Sequence, residues 1–392
     1  MSPEGGPPAP VTVGVDVGGT KVLGVALDGR DRLVTEIRLA TPLHRGGTRR
    51  RVIPGPHGDV TSTANVVAGP EPRNSGDLES ESESESDDAV DAGPLPMGVS
   101  TGHQSVEAGE VMAVVAEAVV ELCGRVSAAG AEVAGVGVGL PGQIGPDGSL
   151  RFAPNLVQGE GLVVGAELSS LVGRLPVAID NDANCAALSE WMVGAARGAQ
   201  DALVVTFGTG IGSGIVVGGT LARGANGAAG EAGHMVIDPH GPVCVCGQRG
   251  CWERFASGSG LGRLTREAAQ AGRLSDLVAR VGGDPERVRG EHVSAAAAAG
   301  DAAAHAVLAE LAQWLALGLA NLANLLDPSV IVLGGGLMES GPTLLDLARE
   351  AFHDRVERRD GRPEVRIVAA ALGDRAGAVG AAMLARSGHR HG

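Results

Sequence analysis

One device is written twice in this chain, and it limits the folds available. Val11 to Asp28 reads VTVGVDVGGTKVLGVALD, and Asp201 to Val217 reads DALVVTFGTGIGSGIVV. Each is a run of strand-forming residues, a glycine turn and a second such run, which is the pattern of a β-hairpin. A glycine tip offers closely spaced backbone N–H groups, a setting suited to an anionic phosphate. The same residues also make ordinary turns. Two such hairpins point to two similar halves facing each other across a cleft. GTGIG is followed by a strand, not a helix, so it is no dinucleotide fingerprint. Asp16 precedes the first turn, Gly18-Gly19, and Thr20 and Lys21 follow it. Lys21 is the single lysine among 31 basic side chains.

At 392 residues the chain is long for one core, so two domains are expected. The net charge of −15 argues against a nucleic-acid surface. The opening MSPEGGPPAP has no apolar run and so no signal peptide. The most apolar stretch, Ala302 to Leu326, is interrupted by His305, Glu310, Gln313, Asn321 and Asn324, and reads as a buried or amphipathic helix, not a membrane span. The expectation is a soluble, cytoplasmic protein with reduced thiols and no membrane partner.

Taken in order, a leader over 1–10 gives way to the first hairpin and a third strand, Arg32 to Ala40. From His44 to Thr101 periodicity is lost, and the centre, DLESESESESDDAVD, is self-repelling. Its composition predicts a disordered insertion in a surface loop. A helix follows over Val106 to Ala129, with Val111, Val114, Val115, Ala118, Val119 and Leu122 on one side. A buried strand from Val133 ends in a Leu-Pro-Gly turn at Gly142, and FAPNL, Phe152 to Leu156, is a candidate ligand-lining loop.

Next come a helix over Glu167 to Val172 and a strand over Leu175 to Ile179, which leads into Asp180-Asn181-Asp182-Ala183-Asn184. Polar groups just past a buried strand lie where open α/β sheets bind ligands. The helix Ala183 to Val193 follows, so either a plain helix cap or an active carboxylate fits here, and Asp180 competes with Asp182 for the second role. Further on, helices are expected over Ser259 to Gly272, Ser275 to Val281 and Ser294 to Leu326. The buried strand VIVL runs into Gly334-Gly335-Gly336, a third turn open to close backbone approach. A strand, Val365 to Val368, and a small-residue helix, Arg375 to Ala385, close the chain.

The segment Gly230 to Glu253, GEAGHMVIDPHGPVCVCGQRGCWE, holds three of the five cysteines: Cys244, Cys246 and Cys251. With His234 they form a four-ligand set of thiolates and imidazole suited to tetrahedral zinc. Three clustered thiols cannot pair completely as disulfides, and a glycine-rich polar setting does not suit cysteines as core hydrophobes.

DVGGTK, TFGTGIGSG and LGGG resemble the phosphate and adenosine motifs of the superfamily joining sugar kinases, heat-shock chaperones and actin. GEAGH with CVCGQRGCWE resembles the ROK family of bacterial sugar kinases and repressors, and CGQRGCWERFASG is similar to ATP-dependent glucokinases of high-GC Gram-positive bacteria. The resemblance implies a two-domain actin-like ATPase (ribonuclease H-like) α/β fold with an interdomain cleft. It places one domain over 11–182, a second over 183–370 with the zinc segment 230–253, and a C-terminal helix in 371–392 returning to the first. It makes Asp182 the catalytic base for transfer from MgATP to the 6-hydroxyl of a hexose, glucose first and other hexoses or N-acetylhexosamines as alternatives. Sugar contacts map to Asn181, Asp182, Glu231, His234 and Glu253, with Asn155 and Gly142 as weaker correspondences.

Nucleotide contacts map to Asp16, Gly18, Gly19, Thr20, Lys21, Gly208, Thr209, Gly210, Gly334, Gly335 and Gly336. Structural zinc maps to His234, Cys244, Cys246 and Cys251, and the assembly implied is a homodimer or homotetramer. Val157-Gln158 stands where an aromatic often follows the Pro-Asn, so the pocket rim departs from the pattern. A repressor of the same family would carry a helix-turn-helix before DxGGT, where this chain has 15 Pro/Gly-rich residues.

Overall fold

The computed structural model describes residues 10–19, 21–41, 106–153, 156–157, 160–173, 175–339, 341–357 and 363–387. The expected insertion over 44–101, and the candidate contacts Thr20 and Asn155, lie outside these residues.

The first half of the chain builds one five-stranded sheet. Its strands are β1 (Val11–Val17), β2 (Lys21–Leu27), β3 (Leu33–Ala40), β4 (Val133–Leu140) and β5 (Val177–Asn181), in the order β3-β2-β1-β4-β5. β1, β2 and β3 pair antiparallel, while β4 and β5 add on as parallel strands. Helix α1 (Ala108–Ala128) covers one face, burying Val111, Met112, Val115, Val119, Leu122 and Val126 at helical spacing. α2 (Val164–Leu171) leads into β5, and α3 (Asp182–Met192) leaves directly from its end.

The second half repeats the plan. β6 (Ala202–Phe207), β7 (Ile211–Val217), β8 (Thr220–Ala222), β9 (Val330–Gly334) and β10 (Arg366–Ala369) stand in the order β8-β7-β6-β9-β10, again with an antiparallel hairpin side and a parallel side. The expected duplication is therefore one of topology as well as of motif. Between the strands run α4 (Glu253–Ala256), α5 (Gly258–Gln270), α6 (Ser275–Arg280), α7 (Gly290–Ala298), α8 (Ala302–Leu326), α9 (Gly336–Glu339) and α10 (Pro342–His353). α11 (Ala376–Arg386) is last.

One expectation fails. Ser294 to Leu326 reads as a single helix from its alanine-rich apolar pattern, but the structure breaks it. Gly300 takes φ +88°, and the Asp301 carboxylate accepts the N–H groups of Ala303 and Ala304 at 2.9 and 3.0 Å, which starts α8 afresh. Of α8's most apolar window 61% is buried, so it is the core helix of its half.

α3 and α11 form the layer between the sheets: α3 packs on β6 and β7, α11 on β1 and β4, and the two helices on each other. Small residues set the spacing. A Cβ on Gly137 would collide with the Ala381 carbonyl, and one on Gly380 with the Cys185 carbonyl. Gly137→Ala is accordingly expected to lower unfolding stability by about 1–3 kcal/mol or more, read by urea or thermal unfolding. An unchanged midpoint would mean that helix and sheet have room to separate. The buried Glu190 locks the far end of α3, its carboxylate accepting the N–H groups of Ala195 (2.8 Å), Ala371 (3.1 Å) and Leu372 (2.8 Å).

Candidate functional site

β5 ends, and α3 begins, inside the DNDAN run. Asn181 is the cap: its side-chain oxygen accepts the Asn184 N–H at 3.0 Å and its Nδ2 donates to the Gly142 carbonyl at 3.0 Å. Gly142 can hold that turn because φ is +120° and a Cβ would collide with the Phe152 carbonyl. Asp180 is wholly engaged. Oδ2 accepts Arg223 Nε at 2.7 Å, and Oδ1 accepts the Asn181 N–H and Asn184 Nδ2 at 2.8 and 3.0 Å. Asp182, one residue past the cap, keeps a carboxylate whose Oδ1 accepts the Ala183 N–H at 2.9 Å. Burial pushes its pKa up to about 6; the Ala183 N–H opposes this, and the Glu231 charge adds to it.

Asp16, at the end of β1, stands beside it. A Cβ on Gly139 would lie 3.2 Å from Asp16 Oδ1 and 3.4 Å from Asp182 Cα, so the two acids flank one glycine. A Cβ on Gly377 would sit within 2.6 Å of Asp16 Oδ2. Burial, with Asp182 adding to it and Lys21 opposing, raises the Asp16 pKa to about 8, and its Oδ1 is buried with no hydrogen-bond partner. An unpartnered buried carboxylate oxygen fits a site completed by a cation such as Mg²⁺. Lys21 Nζ donates to Asp374 Oδ2 at 2.9 Å, which also takes Arg38 at 2.6 Å, so Lys21 is held toward the turn before α11.

The hairpin tips are open: a Cβ on Gly19 or Gly208 would meet nothing within 4 Å, and Gly18 meets only the Lys21 carbonyl at 3.1 Å. Gly258 and Ser259 donate to the carbonyls of Gly208 and Thr209 at 2.8 and 3.3 Å, which seats α5 on the second tip. Gly210 leaves room for the Glu253 carboxylate, whose Oε2 accepts the Ile211 N–H at 3.3 Å. Gly334 closes β9, Gly335 (φ +87°) lies against the Phe207 backbone next to this tip, and Gly336 opens α9.

His234, Cys244, Cys246 and Cys251 bring one ligand atom each to within 4.8 Å of one another. Cys246 and Cys251 sulfurs are 3.6 Å apart, as are Cys244 Sγ and His234 Nδ1. Zn–S and Zn–N bonds of about 2.3 and 2.0 Å at tetrahedral angles require separations of about 3.5–3.8 Å, so the donor set fits zinc. A disulfide would need about 2.05 Å. The other face of His234 is turned to the sugar candidates, with Nε2 3.9 Å from Glu231 Oε2. Burial raises Glu231, with His234 opposing and Glu253 adding. Trp252 plugs this segment into the core: it is fully buried, edge-on to Phe207 at 5.7 Å, and donates Nε1 to the Trp314 carbonyl at 2.8 Å.

Asn181, Asp182 and Asp16 thus gather at one end of the first sheet, and Glu231, His234 and Glu253 gather beside the cysteines. Sequence reasoning missed Arg223 and Asp374, whose partners lie 43 and 353 residues away.

A family model described as ROK matches residues 103–387. The chain belongs to the ROK family. It is 40% identical over 260 residues to the glucokinase of Streptomyces coelicolor, spanning 66% of this chain and 81% of that one. The crystal structure of a ROK family glucokinase from Streptomyces griseus, in complex with glucose and AMPPNP, superposes with a TM-score of 0.72 at 32% identity, covering 96% of this chain and 100% of that one. The xylose repressor of Bacillus subtilis is 30% identical over 249 residues, 63% of this chain and 59% of that one. The actin-like α/β fold expected from the glycine motifs is the fold of this ROK chain, and the expected likeness to glucokinases of high-GC Gram-positive bacteria holds.

Proposed function

We propose that this ROK protein phosphorylates the 6-hydroxyl of a hexose with ATP, glucose being the preferred sugar. One observation carries the reading: Asp180 is spent on structure, while Asp182 presents a carboxylate with its pKa raised to about 6 beside Asp16, whose buried Oδ1 has no hydrogen-bond partner. Asp182 accepts the proton of the sugar hydroxyl as that oxygen attacks the γ-phosphate. The N–H groups of the two hairpin tips stabilise charge on the transferring group. Glu231, His234 and Glu253 accept or donate hydrogen bonds to ring hydroxyls and select the sugar. Asp16 would hold Mg²⁺ or its waters, and the cation would neutralise charge on the phosphates. His234, Cys244, Cys246 and Cys251 would hold a zinc ion in a structural role.

In this reading 11–182 forms one lobe, 183–370 the other, and the C-terminal helix in 371–392 returns to the first. The glucokinase relatives and the glucose and AMPPNP in the Streptomyces griseus structure support the substrates.

The test is a coupled phosphotransfer assay with MgATP over glucose, mannose, fructose, N-acetylglucosamine and N-acetylmannosamine. Glucose is expected to show the highest kcat/KM. No turnover of any sugar would overturn the reading and leave a sugar-binding regulator. A pH series adds a second check. With the base ionised only above a pKa of about 6, kcat/KM should be level at neutral pH and drop about tenfold per unit below that value. A flat profile down to pH 5 would remove Asp182 from the role.

A further inference from the structure

β5 and β8 are edge strands of their two sheets, and one ion pair links a residue of β5 to a residue just past β8. Asp180 on β5 is 5% exposed in its side chain, and Arg223, just past β8, 23%. Nε and Nη2 of Arg223 both reach Oδ2 at 2.7 Å, and Oδ1 is taken by the Asn181 N–H and by Asn184 Nδ2. The pair therefore grips the backbone of the residue preceding Asp182. On its other side, Arg223 opens the loop that delivers Glu231. Its carbonyl accepts the Ala229 N–H at 3.1 Å, Gly224, Gly227 and Gly230 turn the chain at φ +74°, +78° and +92°, and the Ser213 hydroxyl donates to the Gly230 carbonyl. A Cβ on Gly227 would collide with the carbonyl of Ile144, in the short strand Gln143–Ile144 that follows β4. The residue before Asp182 and the loop that delivers Glu231 are thus both tied to Arg223, the first through its guanidinium and the second through its backbone carbonyl.

We propose that Arg223 is a positioning residue: by gripping Asp180 across the sheet edges it fixes the spacing between Asp182 and Glu231, and so sets affinity for the sugar. This rests on the hexose-kinase reading. Desolvated, doubly hydrogen-bonded guanidinium–carboxylate pairs hold one geometry, which a lysine or an amide does not reproduce.

The experiment compares wild type, Arg223→Gln and Arg223→Gln/Asp180→Asn, measuring Tm and the KM values for glucose and for ATP. The single variant strands the Asp180 charge and should lose Tm. The double variant removes that charge, and its Tm should recover. The glucose KM is expected to stay at least about tenfold above wild type in both, with the ATP KM within about twofold. Should the single variant not fold, the double variant decides alone. A glucose KM that returns to wild type together with Tm would show a merely structural pair and overturn the inference, as would an ATP KM that rises equally. A wild type that turned over no hexose would overturn the hexose-kinase reading and this inference with it; normal wild-type turnover beside a normal double variant would overturn this inference alone.

Discussion

Asp182→Asn is expected to lower kcat on the order of 10²-fold or more while leaving the fold intact. The expectation of intact structure has a physical basis. The amide oxygen of asparagine can still accept the Ala183 N–H, and the cap belongs to Asn181, which is unchanged. The wild-type carboxylate is itself a cost to the fold. Its pKa is raised from 3.8 to about 6, so the folded state holds the proton more tightly than the unfolded chain does. The penalty is absent below the unfolded pKa, grows between the two values and is full above the folded one. At neutral pH it amounts to about 2 kcal/mol, allowing for the part of the group that solvent reaches. The variant should therefore melt at or above the wild-type temperature at pH 7, and the difference should vanish near pH 4. Sugar-induced thermal stabilisation should persist, because an asparagine can still hydrogen-bond the sugar hydroxyl but cannot take its proton. A kcat within a few-fold of wild type would sink the assignment.

What the sequence disclosed about this site divides along a physical line. The hairpins were legible because a β-turn is a local event: Gly18-Gly19 and Gly208-Thr209-Gly210 sit between runs of Val, Leu and Ile, and nothing distant is needed to form them. The cysteines were legible for the same reason, since three ligands fall within one short segment. Asp180 and Asp182 could not be separated by local chemistry, because both are acids at a strand end. Arg223 separates them, and it arrives from another sheet. The pairing of Lys21 with Asp374 and the grip of Glu190 on the amides of Ala371 and Leu372 are likewise closed by α11 returning to the layer between the sheets. The break at Gly300 was written in a Gly-Asp step, but the alanine run around it has a period that masks a boundary. Where a contact depends on how two sheets meet, composition carries no trace of it.

The cysteine segment carries the other large effect. Cys244→Ser is expected to take the protein from about one zinc per chain to little or none, measured by elemental analysis, and to lower Tm, because a structural zinc site contributes folding free energy directly. The effect should reach the sugar as well. Cys244 Sγ lies 3.6 Å from His234 Nδ1 and 3.3 Å from Glu253 Oε1, so it touches both residues that link the cluster to the proposed pocket. Burial pushes the Cys251 thiol up to about 11 and Cys244 in the same direction; a bound dication reverses that balance by taking the thiolates as ligands. With zinc bound, Cys244 would have no proton to donate to Glu253, whose Oε1 would then be free for a sugar hydroxyl, and ligation through one His234 nitrogen would fix the other toward Glu231. Loss of the metal undoes both, so the glucose KM should rise about 10–100-fold, the range typical when the support of a metal site is removed. Dialysis of the wild type against a chelator should give the same pair of changes, with zinc restoring them. Stoichiometric zinc in Cys244→Ser together with an unaltered glucose KM would show that the segment is held by Trp252 and its glycine turns alone, and that the metal has no part in recognising the sugar.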